Sequence, residues 1–329
     1  MKGFLLLRKI FFYIIFVIFL IFIMPIIFTN QFETKEVLSS NIEENKYDYG
    51  DYSIIKVLHV EDGHIEKFNL DDYLYGVVAS EMPASFEMEA LKAQAVVART
   101  YTIYQMRNSS KHENANVCDS AACCQAWISK ENRFARWEDS RKEEYWTKIV
   151  NSVKETKGKI IFYDNEPINA LFHSNSGGKT ELAINVWGGK YPYFQTVETS
   201  GEENYTSYNS EIILSKDELI KIMLENYPEF KIDFEKEMAI KILKLTEGER
   251  VEKIKIGNVE ISGVEARKIF GLKSAKFKVN MVDDFIEFKV IGYGHGVGLS
   301  QCGSDMLAKK GKKFDEIIKY YYKDVVISE

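Results

Sequence analysis

The sequence predicts an α+β fold, a mixed helix and strand ectodomain of two packed lobes behind a single N-terminal transmembrane helix. Three observations predict it. Residues 10–28 form an unbroken apolar run long enough to cross a bilayer as a helix. Beyond it, short runs rich in β-branched and aromatic residues, punctuated by Asp62-Gly63, Asp164-Asn165 and Gly257-Asn258, alternate with stretches of helical period. Finally, 46% hydrophobic residues in a chain of 329 allow a core that a disordered polymer lacks.

Lys2, Arg8 and Lys9 precede the apolar run, and by the positive-inside rule they stay cytoplasmic and send everything after Thr29 to the outer face. A cleaved signal peptide is the rival reading. The run exceeds a normal signal core and no small-x-small site follows it in TNQFETKEV, which favours an uncleaved anchor at residues 1–28. Residues 29–51 are polar, acidic and aperiodic, and read as a tether. With 43 basic against 49 acidic residues, a net charge of −6 and no basic tract after the N-terminus, the chain lacks the concentrated positive face that nucleic acid requires.

Residues 52–205 form the first, catalytic lobe. It opens with a hairpin of residues 54–60 and 65–68 around Asp62-Gly63. A helix over residues 71–82 follows, and in it Leu74, Val77 and Val78 share a face with Glu81. Pro83 ends the helix and leaves Glu81 at the broken end. A second helix starts at Ser85 and carries Ala90, Ala93, Gln94, Val97, Ala98 and Tyr101 on a face of mostly small residues, which lets another element approach closely. A carboxyl group partly desolvated on that apolar face has a raised pKa and serves as a general acid. The alternative is a structural carboxylate paired with Lys92 or Arg99.

The loop at residues 108–129 gathers His112, Cys118, Cys123 and Cys124, four ligands sufficient for a closed tetrahedral zinc site of structural type. Disulfides are permitted outside the cytoplasm, but pairing two of these three cysteines leaves an odd thiol, and adjacent cysteines bond only under strain. Ser140 with Glu143 reads as a capping box for a helix running to Gly158, followed by strands at 160–163 and 168–172. HSNSGGKTE at 173–181 puts a serine beside a histidine. No nucleophile elbow accompanies them, so a glycine turn whose polar side chains cap the backbone competes with any hydrolase reading.

Residues 206–290 form a second α/β lobe with no catalytic signal. Its capping boxes are Ser215 with Glu218 and Ser262 with Glu265, and its hairpin pairs residues 251–256 with 259–261. Residues 291–329 return to the catalytic site. The glycines of GYGHGVGLSQCGS do not have the spacing of a nucleotide fingerprint. His295 between two of them either meets a ligand or Glu81, or is a satisfied histidine in a tight turn, and Cys302 reads as a buried free thiol. A helix at 314–322 closes the chain.

Three strings in matching order, ASEMPASFEMEALKAQAVVARTYT at 79–102, HSNSGG with VWGGKYPY at 173–193, and GHGVGLSQ at 294–301, resemble the stage II sporulation protein D family of membrane-anchored peptidoglycan lytic transglycosylases. The resemblance implies that Glu81 is the catalytic acid/base. It also implies that Arg99, Tyr101, Ser174, Asn175, His295 and Gln301 contact substrate, with Trp187 and Tyr193 available to stack on sugar rings. Some members carry His-x5-Cys-x4-His-Cys and bind zinc, and Cys123 stands here at their second histidine. The implied reaction cleaves the bond from N-acetylmuramic acid to N-acetylglucosamine in peptide-free glycan strands and leaves 1,6-anhydro ends. Implied partners are the amidase stage II sporulation protein P and stage II sporulation protein M, at the mother-cell membrane facing the intermembrane space during engulfment. A second carboxylate among Asp71, Asp72, Glu87 and Glu89 would instead make the site an ordinary glycosidase. A non-catalytic glycan-binding enhancer of a cell-wall amidase and a zinc hydrolase built on the His112 cluster are the rivals from other classes.

Overall fold

The computed structural model describes residues 48–108, 111–236 and 238–329; the apolar run at 10–28 and the tether up to residue 47 lie outside the described residues. Among the described residues no helix is long and apolar enough to cross a membrane. The fold of Asp48–Glu329 is mixed α+β within one compact unit.

Strands β1 (Ile54–Leu58) and β2 (Ile65–Asn69) form the antiparallel hairpin expected around Asp62-Gly63. Helix α1 (Leu70–Glu81) buries Leu74, Val77 and Val78. It stops at Met82, whose extended backbone is what the following proline demands. Helix α2 (Met88–Asn108) is buried on nearly every side, with Ala90, Ala93, Val96, Val97 and Ala98 fully inaccessible, as befits a central helix enclosed by others. Strand β3 (Val117–Cys118) adds to β1 in parallel, pairing Leu58 with Cys118 and drawing the cysteine loop onto the hairpin.

Helix α3 (Lys130–Phe134) is capped by Ser129. Helix α4 (Lys142–Lys154) corrects the expected Ser140 box: its N-cap is Arg141, and no side-chain cap bond forms. Strands β4 (Ile160–Tyr163) and β5 (Glu166–Pro167) follow. The strand expected at 168–172 is reduced to β6 (Phe172–His173), because Tyr193, Tyr322 and their neighbours occupy the ladder positions around residues 169–171. A short helix, α5 (Ile184–Trp187), completes this part of the chain.

Strand β7 (Asn209–Ser215) leads into α6 (Lys216–Asn226), where the Ser215–Glu218 capping box forms with both bonds present. Strands β8 (Ile240–Leu245), β9 (Val251–Ile256) and β10 (Val259–Ser262) make one antiparallel sheet. Helix α7 (Gly263–Ile269) is capped by the Ser262 side chain alone. Strands β11 (Phe277–Val282) and β12 (Phe285–Ile291) form a second sheet with β7. The chain then passes through β13 (Leu299–Ser300), parallel to β6, into α8 (Gln301–Lys309), α9 (Phe314–Tyr321) and β14 (Val326–Ser328), which pairs with β4.

Two clusters of buried apolar side chains among the described residues lie beyond those of α1. One gathers Val97, Ile161, Val297, Leu299 and Ile317; the other gathers Leu219, Ile254, Phe277 and Phe288. The segment between β12 and α8 runs from the second cluster to the first, so its glycine-rich loop lies against both.

Buried polar groups tie these parts together. Arg99, expected at the substrate, is fully inaccessible. Its Nη1 donates to the Thr156 carbonyl at 2.9 Å, and its Nη2 donates to the Val153 carbonyl at 3.2 Å and to Asp71 at 3.3 Å. Those carbonyls lie in the last turn of α4 and just beyond it, so the guanidinium acts as a buried C-terminal cap. Glu202, also fully inaccessible, accepts from the Ser176 hydroxyl at 2.6 Å, the Thr199 hydroxyl at 2.9 Å, the Gly178 N–H at 3.0 Å, and the Ser176 N–H and Ser300 hydroxyl.

Removing a buried, fully bonded carboxylate strands its donors, which costs about 3–5 kcal/mol. Denaturant unfolding of Glu202→Ala is expected to show a loss of that size, while Glu203→Ala, at its exposed neighbour, stays within about 0.5 kcal/mol. A loss below about 1 kcal/mol for Glu202→Ala would mean that water replaces the carboxylate.

Candidate active site

Glu81 ends α1 at the mouth of an open cleft of about 410 Å³. The cleft wall is drawn from five stretches distant in sequence: Ser80 and Glu81 from α1, Tyr101 from α2, Ala121 and Cys124 from the cysteine loop, and Leu171 to Ser174 with Tyr293 to His295 and Gln301 from the two glycine-rich segments. Arg267 of α7 completes it. A volume of this order falls within the usual range for ligand sites, about 300–1,000 Å³.

Glu81 is half-buried. Its Oε1 accepts from the Ala126 N–H at 2.6 Å, and Gln301 hydrogen-bonds the same carboxyl group. Burial pushes its pKa up to about 6, and the two hydrogen bonds offset only part of that rise. Among the described residues it is the single carboxylate on the cleft wall. Asp71 is engaged by the Tyr49 hydroxyl and Arg99, Asp72 by Asn69, and Glu89 by Lys92 and the Phe314 N–H.

Of the other expected site residues, Tyr101, Ser174, His295 and Gln301 line the cleft and Arg99 and Asn175 do not. Asn175 is buried; it donates to the Glu202 carbonyl and the Ser207 hydroxyl, accepts from the Gly177 N–H, and pairs its backbone with Tyr293. It shapes the turn and leaves the wall to Ser174. Tyr101 hydrogen-bonds Cys124, which ties α2 to the cysteine loop. Trp187 is more than half exposed, with its ring centroid 4.9 Å from that of His295, whereas Tyr193 is core.

His295 is satisfied on both ring nitrogens. The Val297 N–H donates to Nδ1 at 3.1 Å, and the Phe172 backbone takes the other side. Burial, reinforced by the charges of Arg267 and Arg250, holds its pKa down to about 3, so it stays neutral. Two glycines make this packing possible. A Cβ on Gly296, at φ +84°, would lie 2.1 Å from the Arg250 guanidinium, and one on Gly298, at φ +72°, would lie 2.0 Å from the Leu171 carbonyl.

The expected site residues did not include His173, met in the sequence only as the histidine beside Ser174, or Arg267. His173 is buried; its Nδ1 bonds the Val297 carbonyl at 3.1 Å while its Nε2 has no partner. The His-Ser pair was a signal for the first. For Arg267 the sequence offers only a basic residue in the last turn of a helix, which reads as complementing the helix dipole.

The cysteine loop is anchored from below. Gln125, fully inaccessible, donates to the Tyr73 hydroxyl at 3.1 Å and the Thr102 hydroxyl at 2.8 Å, so α1 and α2 hold the residue between Cys124 and Ala126. His112 Nε2 lies 3.5 Å from the Sγ of both Cys123 and Cys124, and those sulfurs are 3.9 Å apart; with Cys118 the four ligand atoms lie within 4.8 Å of one another. Tetrahedral zinc, with bonds of about 2.3 Å to sulfur and about 2.0 Å to nitrogen, sets edges of about 3.8 Å between sulfurs and about 3.5 Å from sulfur to nitrogen. The donor set and its spacing fit that ion. All four cysteines are free thiols, and burial pushes the Cys124 thiol up to about 12.

The Stage II sporulation protein family (SpoIID) matches residues 60–163. Over 277 residues the chain is 36% identical to stage II sporulation protein D of Bacillus subtilis (strain 168), a match covering 84% of this chain and 79% of that protein. It is 33% identical over 282 residues to the protein of the same name from Bacillus amyloliquefaciens, covering 84% and 78%. It is 25% identical over 297 residues to the amidase enhancer of Bacillus subtilis (strain 168), which spans 76% of this chain and 39% of that protein.

The raised pKa of Glu81 carries a sign for stability. Folding favours its protonated form, so the stabilisation is present below about pH 4.5 and is lost as pH rises through about 6. Unfolding free energies measured from pH 4 to 7 should fall by roughly 2 kcal/mol more for the wild type than for Glu81→Gln across that window. Parallel profiles for the two proteins would place the Glu81 pKa at its ordinary value.

Proposed function

This chain belongs to the stage II sporulation protein D family, and from that premise we propose that it is a peptidoglycan lytic transglycosylase acting in cell-wall remodelling during sporulation. The observation that carries this reading is one carboxyl group with a pKa near 6 in an open cleft whose wall holds no second carboxylate among the described residues. Glycosidases that use water need two carboxyl groups about 5–10 Å apart. Intramolecular attack needs one acid/base residue.

In the proposed reaction, protonated Glu81 donates its proton to the oxygen leaving C1 of the muramyl residue. The resulting carboxylate, held by the Ala126 N–H and Gln301, then takes the proton of the muramyl 6-hydroxyl as O6 bonds to C1. The products are a glucosaminyl hydroxyl and a 1,6-anhydromuramyl end; Glu81 has its proton back and no water is consumed. A pKa near 6 suits a group that must give and take within one turnover. Tyr101, Ser174, His295 and Gln301 are proposed to bound the sugar, with the neutral His295 ring beside Trp187 as an apolar surface.

His112, Cys118, Cys123 and Cys124 are the proposed zinc ligands. With four protein ligands the ion has no open position for water, so it supplies a cross-link. That cross-link holds the loop whose Ala126 N–H meets Glu81. Residues 10–28 are the proposed membrane anchor, with the described residues outside the cytoplasm. The proposed partners are peptide-free glycan strands, the amidase stage II sporulation protein P and stage II sporulation protein M. Similarity to an amidase enhancer favours a second reading, a glycan-binding stimulator of an amidase that needs no chemistry at Glu81.

Full-length protein incubated with peptide-free glycan strands is expected to release products one water lighter than hydrolysis products, as read by mass spectrometry. Glu81→Ala should lower the rate at least about 10²–10⁴-fold. The wild-type rate should fall as pH rises through about 6, where the acid form of Glu81 is lost. Ordinary reducing ends would make the enzyme a hydrolase; full biological activity of Glu81→Ala would favour the enhancer reading. Chelation is expected to lower the melting temperature and zinc alone to restore it, with a weaker response in Cys123→Ser. A melting temperature indifferent to chelator would remove zinc from the loop.

A further inference from the structure

The Glu81 cleft holds one cation that neither the proposed proton transfers nor the cysteine loop uses. Arg267 reaches the cleft from the last turn of α7 and is half-buried, and burial lowers its pKa from the ordinary arginine value. Its Nε donates to the Leu272 carbonyl at 3.3 Å, which orients the guanidinium plane. Its two Nη atoms make no hydrogen bond and no ion pair among the described residues. The neighbouring Arg250 is a contrast: its Nη atoms donate to the carbonyls of Lys179, Gly248 and Ser176.

The groups around Arg267 leave it without a counter-charge. Glu181, which shares an adjoining small cavity with it, is taken up by the Leu182 N–H, the Asn185 amide and the Thr246 hydroxyl. His173 and His295 are held neutral by burial and by the charges of the two arginines themselves. A guanidinium drawn partly out of water without a partner is costly, and an arriving anion recovers that cost. The open fork of Nη donors matches a carboxylate in particular.

We infer that Arg267 forms a carboxylate-binding subsite of the cleft, and that its ligand is the lactyl carboxylate of a muramyl residue whose stem peptide has been removed. The inference rests on the glycan reading of the cleft proposed above. While the stem peptide is attached, the lactyl carboxyl group is a neutral amide with a peptide behind it. Amide hydrolysis adds water, releases the peptide with its free amine, and leaves a carboxylate on the sugar. N-acetylglucosamine has no such group. Arg267 therefore lets one site distinguish muramyl from glucosaminyl residues by the charge on the lactyl group.

The test measures binding by the full-length Glu81→Gln protein, which should not turn over, with and without Arg267→Gln. The probes are peptide-free glycan strands, the same strands with their lactyl carboxylates converted to methylamides, and a chito-oligosaccharide. Glu81→Gln alone is expected to bind the free carboxylate strands about 10–100-fold more tightly than the methylamide strands. That ratio should fall to about one with Arg267→Gln and be partly retained with Arg267→Lys. A ratio near one in Glu81→Gln alone, a comparison that needs no change at Arg267, would overturn the inference, as would a ratio that survives Arg267→Gln. Failure to bind any of the three probes, together with no cleavage by the wild type, would instead remove the glycan reading and this subsite with it.

Discussion

The buried carboxylate of Glu202 is the constraint on which the cleft depends. A carboxyl group with no access to solvent persists only if its oxygens are fully engaged, and here hydroxyls and N–H groups from Ser176, Gly178, Thr199 and Ser300 converge on it. Those donors come from the HSNSGG turn, from the stretch after Tyr193 and from the cap of α8. One side chain thus fixes the two glycine-rich segments against each other. Ser300 also accepts from the Gly303 N–H, so the group that anchors α8 to Glu202 starts the helix whose first residue, Gln301, reaches Glu81.

Desolvation then does opposite things to two groups in the same cleft. It raises Glu81 toward neutrality by favouring the protonated carboxyl, and it lowers His295 by favouring the free base. The result is a wall with little charge at mildly acidic pH, on which Arg267 stands out. The two groups come from different parts of the chain: the acid from α1, the cation from α7.

The cysteine loop links the proposed zinc ligands to Glu81 through the backbone. Cys124 lines the cleft, Gln125 is pinned to Tyr73 and Thr102, and Ala126 donates to Glu81. Three consecutive residues therefore face the four-ligand cluster, the core and the acid in turn. Two peptide units separate the cluster at Cys124 from the N–H that meets Glu81.

Local pattern alone determined much of this protein. The period that puts Leu74, Val77 and Val78 on one face also placed Glu81 at its half-buried end, Pro83 marked where the helix stops, and Gly257-Asn258 marked a hairpin. These are interactions among residues a few positions apart, which periodicity and turn chemistry report directly. Residue type was less reliable. Arg99 and Arg267 are the same chemical group on two helices, yet one caps buried carbonyls and the other faces the cleft, because what surrounds each is set by α4 and by the glycine-rich loop. Glu202 gave no local signal at all, since its partners lie up to 98 positions away. Burial, and with it pKa and partnership, is a property of elements brought together from across the chain, so only the tertiary structure decided which charges are spent on the fold and which are left for a ligand.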